Sequence, residues 1–366
     1  MPGSSRRVVF LAALLTLLGA RAAVAQHEHS SSEFEVFVAA ESLSGSGPVR
    51  RNDDDSWFNA DVVFGLTHEQ FRVFGEYFIT SKERDLERFQ LGFEFVPETV
   101  LWFGRFHQPA SAWNTEHHHG RYLQTAITRP TIEGWEDERG IIPQHITGAL
   151  LESRRPVGQD GGLQLSVGLG AAASISDEAY EAINLINNNP GKYGPSFTAR
   201  LAYLPEYTGT SSAGLLLSHD QLFVRSAAAA AVLRSTHATL GIYGAYVDWS
   251  DSRWRVVAAT YYVDVQLDQP ARNESFISGY AQAERQFPHG LTVFGRIEDS
   301  TRMQGSRYVA FFEDNSGDID VALRRKVAGL RWDYARRQAL SAEYSHTASI
   351  QQSAGTVRLQ WSAAIP

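Results

Sequence analysis

Apolar and polar residues alternate with a period of two through almost the whole chain, and few folds accept such a pattern. In "ERFQLGFEFV", Phe89, Leu91, Phe93 and Phe95 alternate with Arg88, Gln90, Gly92 and Glu94. "WFNADVVFGL" sets Phe58, Ala60, Val62, Phe64 and Leu66 against Asn59 and Asp61. "SFTARLAYL" sets Phe197, Ala199, Leu201 and Tyr203 against Ser196, Thr198 and Arg200, and "TVRLQW" sets Val357, Leu359 and Trp361 against Thr356, Arg358 and Gln360. Successive side chains of a strand point to opposite faces, so each segment reads as a strand with one apolar and one polar face.

About sixteen segments carry the pattern: 33–41, 56–66, 70–80, 86–95, 99–106, 146–154, 162–172, 196–204, 211–220, 236–249, 253–266, 276–286, 290–299, 320–334, 338–349 and 352–361. The two faces are least distinct at 99–106, 146–154 and 211–220. Lengths cluster around the ~9–11 residues that a tilted membrane-spanning strand needs. From the second strand onward every other connection is short: "THEQ", "VPET", "RRPVGQDGG", "PEYTGTS", "WSDS", "FPHG" and "ARRQ". The intervening ones, at 42–55, 107–145, 173–195, 221–235, 267–275 and 300–319, are longer, with short exceptions near 81–85 and 350–351. Short turns on one side and long loops on the other is the arrangement of a transmembrane barrel. A soluble sandwich gives no reason for that parity. The expected fold is therefore all-β, an antiparallel transmembrane β-barrel of about 16 strands.

The N-terminus agrees with export. Arg6 and Arg7 precede an apolar stretch from Val8 to Gly19, and Ala23-Val24-Ala25 supplies a small-residue cleavage site. Residues 1–25 read as a signal peptide and 26–366 as the barrel domain. No later stretch approaches ~18 consecutive apolar residues, so no transmembrane helix is expected. The formal charge is -8, and removing Arg6, Arg7 and Arg21 makes it -8 - 3 = -11. That acidity argues against nucleic acid as a partner. Without cysteine, disulfides and thiolate metal sites are excluded.

Aromatic residues make up 11% of the chain and crowd the strand ends at Trp57, Tyr77, Trp102, Tyr203, Trp249, Trp254, Trp332, Tyr334 and Trp361. Amphipathic rings bordering an apolar band are the interfacial girdles of membrane barrels, although strands favour aromatics in any setting.

The longest connection, 107–145, opens with "FHQPASAWNTEHHHGRYLQTAITRP" and holds Trp113, Tyr122 and Trp135 as apolar anchors. Loops of this length are usually functional or disordered. With this long connection in third place on its side, the layout resembles the sixteen-stranded bacterial porins. The resemblance lies in architecture and covers nearly the whole chain after the leader. It implies a third external loop that folds into the barrel and narrows the pore. It also implies a homotrimer as one assembly, although outward apolar faces read alike against lipid or a neighbouring subunit. Members of that family commonly end on an aromatic residue; here Trp361 is followed by "SAAIP".

A loop in the lumen would bring Glu116, Glu133, Glu136 and Asp137, with Arg121, opposite arginines of the polar strand faces at Arg88, Arg105, Arg200, Arg296, Arg331 and Arg358. Acidic loop against basic wall would set up a transverse field; alternatively, the arginines only pair with carboxylates and hold the loop. Five of the 12 histidines fall here. His117 and His119 would share a face of an extended segment, opposite His118, with His107 and His145 at the two ends. Imidazole and carboxylate suit a divalent metal such as zinc, and His107, His117, His119 and His145 are the candidate ligands. The other reading makes them pore-lining groups that gain charge at mildly acidic pH.

No catalytic residue is expected. Ser345 and His346 are neighbours on a strand and point apart, and no G-x-S-x-G occurs. The sequence predicts an outer-membrane channel, embedded in lipid, for passive diffusion of small hydrophilic solutes. The alternatives are a metal-handling barrel that uses the histidine loop, and a structural barrel whose loop plugs the lumen.

Overall fold

Alternating faces leave a sheet with one apolar side, and closing that sheet on itself removes its unpaired edges. The computed structural model describes residues 30–46, 58–80, 84–117, 121–134, 140–176, 180–183, 185, 191–268, 271–316, 322–350 and 353–366. Its strands are β1 (Ser30–Ser46), β2 (Phe58–His68), β3 (Phe71–Thr80), β4 (Arg84–Val96), β5 (Thr99–His107), β6 (His145–Val157), β7 (Gly161–Ala171), β8 (Ser174–Ile175), β9 (Tyr180–Glu181), β10 (Pro195–Leu204), β11 (Ser212–Phe223), β12 (His237–Ser250), β13 (Trp254–Asp268), β14 (Ala271–Gln286), β15 (Leu291–Thr301), β16 (Arg324–Ala335), β17 (Gln338–Ala348) and β18 (Ser353–Ile365). All except β8 and β9 form one closed antiparallel barrel of sixteen strands, with β18 returning to β1. The ribbon of β8 and β9 sits in the connection between β7 and β10. The proposed signal peptide and Trp57 lie outside the described residues.

Burial on the strands is inverted relative to a water-soluble protein. Leu215 is 63% exposed, Ile297 63% and Leu359 55%, whereas Arg200 is 5% exposed, Asp220 1% and Arg296 1%. The apolar face therefore looks outward and the polar face inward, as a lipid-embedded barrel with a polar lumen requires.

Three expectations change, and the connection at 221–235 gains a helix. The final strand does not stop at Trp361: Ala364 and Ile365 pair with Phe37 and Val36, so "SAAI" belongs to the closing seam. The alanine run after Ser226 is helix α2 (Ala227–Leu233), its first turn capped by the Ser226 hydroxyl, which accepts from Ala229 N at 2.9 Å. Alanine is the strongest helix former, and serine is a preferred cap. Trp102 does not join an outer girdle. Its ring lies over Gly92, and its Nε1 donates to Glu152 at 2.9 Å. Finally, the inward faces of β12 to β14 are not uniformly polar. Leu240, Ile242, Val263, Val265 and Phe276 are buried there, in one apolar cluster with Leu233, Ile141, Ile142 and with Phe311 and Phe312 of α3 (Arg307–Ser316). The long connections thus build their own packed core at one side of the barrel.

Candidate constriction site

The connection between β5 and β6 begins where His107 pairs with His145 and adds one further rung, Gln108 N to Gln144 O at 2.7 Å. It then forms the short helix α1 (Ala112–His117). Trp113 in this helix is 2% exposed.

Glu133 organises this part of the connection. It is fully buried, and its carboxylate accepts four hydrogen bonds: Ser111 Oγ at 2.5 Å, Trp113 N at 2.7 Å, Tyr261 OH at 2.5 Å and Tyr280 OH at 2.8 Å. A carboxylate removed from water is tolerable only with such a full set of donors. Tyr261 also accepts from Ala112 N at 3.2 Å, fixing the start of α1 to β13. Asn114 Nδ2 donates to Glu133 O at 2.9 Å, and Arg129 donates to Asn114 Oδ1, so both limbs of the connection are cross-braced.

Further contacts run to the inward side chains of most of the opposite wall. Gln108 donates to Asp220 on β11 at 2.9 Å, and Arg200 on β10 donates to Thr115 at 2.6 Å. Carboxylates of the wall accept from the connection: Glu284 from Thr125 Oγ1 at 2.7 Å, Glu343 from Ile127 N at 2.8 Å, and Glu298 from Thr131 N at 2.8 Å. Arginines of the wall donate to its carbonyls. Arg296 reaches Thr128 O at 2.8 Å and Arg129 O at 3.0 Å; Arg331 reaches Tyr122 O at 2.6 Å and Gln124 O at 2.7 Å. Glu298 and Glu343 thus take backbone N–H groups of the connection and Arg296 and Arg331 its carbonyls, while Glu284 and Arg200 meet threonine hydroxyls.

In a different part of the wall, arginines and carboxylates pair with each other. Arg88 pairs with Glu76 at 2.5 Å, Arg105 with Asp85 at 3.1 Å, and Arg358 with Glu41 at 2.5 Å.

No protein-family model matches the sequence, and no curated protein matches it. Solved structures do. The chain is similar to OmpF of Salmonella typhi, in complex with daunomycin, with TM-score 0.59 at 10% identity over 91% of this chain and 97% of that one. It is similar to the anion-selective porin of Comamonas acidovorans, TM-score 0.57 at 10% identity over 92% and 100%. It is also similar to the outer-membrane channel DcaP of Acinetobacter baumannii, TM-score 0.56 at 12% identity over 93% and 100%.

The fold is that of the bacterial outer-membrane porins.

Within this porin fold the six arginines expected on the inner wall divide in two. Arg200, Arg296 and Arg331 bind the connection, and Arg88, Arg105 and Arg358 pair with wall carboxylates. Glu133, expected to face wall arginines across a passage, instead accepts from tyrosines, a serine and a backbone N–H, because full burial demands donors that close around it. Glu136, Asp137 and His119 lie outside the described residues, as do the side chains of Glu116 and Arg121.

The histidines are not gathered into a metal site by the described residues, which contain no cluster of three or more His, Cys, Asp or Glu side chains able to hold an ion. His107 and His145 stack edge to face with centroids 5.1 Å apart, and His145 Nε2 lies 3.0 Å from Glu87 Oε2. His117 sits elsewhere, against Trp113 and 3.2 Å from the Arg255 guanidinium. Burial first, and then the Arg255 and Arg129 charges, push its pKa down to about 3. An imidazole facing a cation is a poor ligand for another, and this one does not gain charge at mildly acidic pH.

Sequence reasoning missed Tyr261, Tyr280, Glu284, Glu298 and Glu343. Each lies in the inward phase of its strand; Glu298, for example, is two residues from Arg296 and bonded to it at 2.8 Å. The signal that marks them is that inward phase, which carries carboxylates and tyrosines as well as arginines.

Proposed function

We propose that the protein is a porin-like channel of the outer membrane that passes small hydrophilic solutes passively, with the β5–β6 connection folded into its lumen as the constriction. The observation that carries this reading is the pairing of an outward apolar face with inward charged side chains that hold a long connection from the far wall. Sixteen strands enclose more space than their own side chains fill, so a connection tied to β13–β17 narrows the space without being needed to close it. The similar structures include an anion-selective porin and an outer-membrane channel, which favours transport over catalysis. Residues 1–25 serve as the export signal in this reading, and small polar solutes follow the charged wall formed by Arg88, Glu76, Arg358 and Glu41.

Swelling of liposomes containing the refolded chain tests it. Uptake of neutral sugars should fall steeply with their size. Uptake no faster than in protein-free liposomes, from a preparation whose barrel is folded, would overturn the proposal.

A further inference from the structure

Carboxylates on the inward face of β1 to β5 are for the most part matched by a cation. Glu41 has Arg358, Glu76 has Arg88 and Asp85 has Arg105, while Glu87 lies 3.0 Å from His145 and 3.8 Å from Arg105. Asp61 on β2 differs. It is 2% exposed, and among the described residues neither of its carboxylate oxygens meets a donor. A buried carboxylate in that condition is costly. The polar group that comes within hydrogen-bond reach of Asp61 is the Glu76 carboxyl, a second acceptor, and Glu87 adds another negative charge. Arg88, the nearby cation, is engaged by Glu76 at 2.5 Å and lies over the Phe74 ring at 4.5 Å. Two acids that face each other need something positive between them.

Register supplies the rest of the surroundings. Asp61 is paired directly with Phe37 on β1 and with Phe78 on β3, both buried and both in the inward phase. Side chains paired in this way stand on one face of the sheet with Cβ atoms ~4.5–5.5 Å apart. A carboxylate between two phenylalanines suits one class of cation better than another. A metal ion asks for several oxygen or nitrogen ligands, and the described residues hold no cluster of that kind. An alkylammonium asks for one anion and for aromatic faces, which attract its charge and accept its methyl groups.

We infer that Asp61, Phe37 and Phe78 form a binding site for small alkylammonium ions on the inner wall, with Glu76 as the supporting charge. The inference rests on the channel reading above and names cationic amines as solutes that pause on this wall. Because Asp61 is buried, a phenylalanine ring must turn aside to admit the ion.

Saturation-transfer NMR on the full chain, refolded in an uncharged detergent with tetramethylammonium as the probe, tests it. The folded parent should transfer saturation to the methyl protons of the probe, and an equal concentration of uncharged tert-butanol should not compete. Asp61→Asn keeps the shape and removes the charge, and should weaken binding at least about tenfold. Phe78→Leu should weaken it about threefold. No transfer to a folded parent, or equal transfer in parent and Asp61→Asn, would overturn the site. An infrared band of a protonated carboxyl at neutral pH that Asp61→Asn removes and the probe does not displace would assign a proton to the gap and overturn the ammonium. Bilayer currents on the same preparations separate the two readings. Potassium current that tetramethylammonium leaves unchanged, together with no saturation transfer, would remove the site alone. A folded parent without current would remove the channel, while saturation transfer still reports on Asp61.

Discussion

Glu133 Oε1 accepts the hydroxyl proton of Tyr261 at 2.5 Å, joining the β5–β6 connection to β13 across 128 positions of sequence. Tyr280 on β14 donates to the same oxygen at 2.8 Å, while Oε2 serves Ser111 and the backbone at Trp113. One carboxylate therefore satisfies the start of α1, the returning limb and two strands of the barrel wall.

Removing that acceptor should release the connection while leaving the barrel closed. Glu133→Ala leaves two buried phenols and a backbone N–H without partners, and unmet buried donors cost about 1–3 kcal/mol each. Tyr261→Phe should cost about 1–3 kcal/mol. Limited proteolysis should cut Glu133→Ala within 108–144 well before the parent, with the intact barrel still visible by its strand circular dichroism. Equal resistance would show that Glu133 is not the anchor.

The two groups of wall arginines should separate in experiment. Arg296→Ala strips donors from Thr128 O and Arg129 O and should expose the connection to protease. Arg88→Ala removes a partner of Glu76 and a cation over the Phe74 ring, so it should leave the connection protected and shift ion selectivity toward cations. Reversal potentials in a salt gradient read the second effect.

Ring-over-glycine contacts make a packing prediction. A Cβ on Gly75 would fall 2.1 Å from the Phe64 ring on the paired strand, and one on Gly92 would fall 2.5 Å from the Trp102 ring. Gly75→Val should lower stability by about 1–3 kcal/mol through overpacking. Phe64→Ala in the same chain should restore part of it. Heat-induced loss of the folded band on an electrophoresis gel measures both; strictly additive losses would contradict the contact.

His117 sets a pH dependence whose sign follows from its depressed pKa. The released state binds a proton below about pH 6.5 and the folded connection only near pH 3. The protected state is favoured in full above pH 6.5, and that preference is lost as pH falls toward 3. Conductance should be level from pH 8 to 6.5 and change only in acid, and His117→Gln should flatten that acid response. Micromolar zinc should not block current, since Arg255 faces the imidazole. Zinc block abolished by His117→Gln would contradict this environment.

The barrel was legible because its pattern is local. Period two, strand length and turn parity depend on neighbours in sequence, and the short turns at Glu69 and Glu98, which take left-handed backbones, fall where the breaks in alternation put them. What failed required knowledge of what packs against the inward faces. Leu240 and Val263 face inward yet are apolar, because α2, α3 and Ile141 cover them. The placing of the histidines was equally non-local: the fold sends His117 to Arg255 and leaves His107 beside His145, while His119 lies outside the described residues. Nothing in the sequence singles out Glu343, and only the folded connection reveals that Ile127 N and Thr128 N are bonded to it.

Single-channel current in a planar bilayer, recorded for the refolded parent and for Glu133→Ala, tests the central claim most directly. The account predicts discrete steps that scale with salt in the parent, and larger or noisier steps once the connection is released. A folded parent that carries no current, or a Glu133→Ala variant with identical, equally quiet steps, would contradict a channel narrowed by this connection.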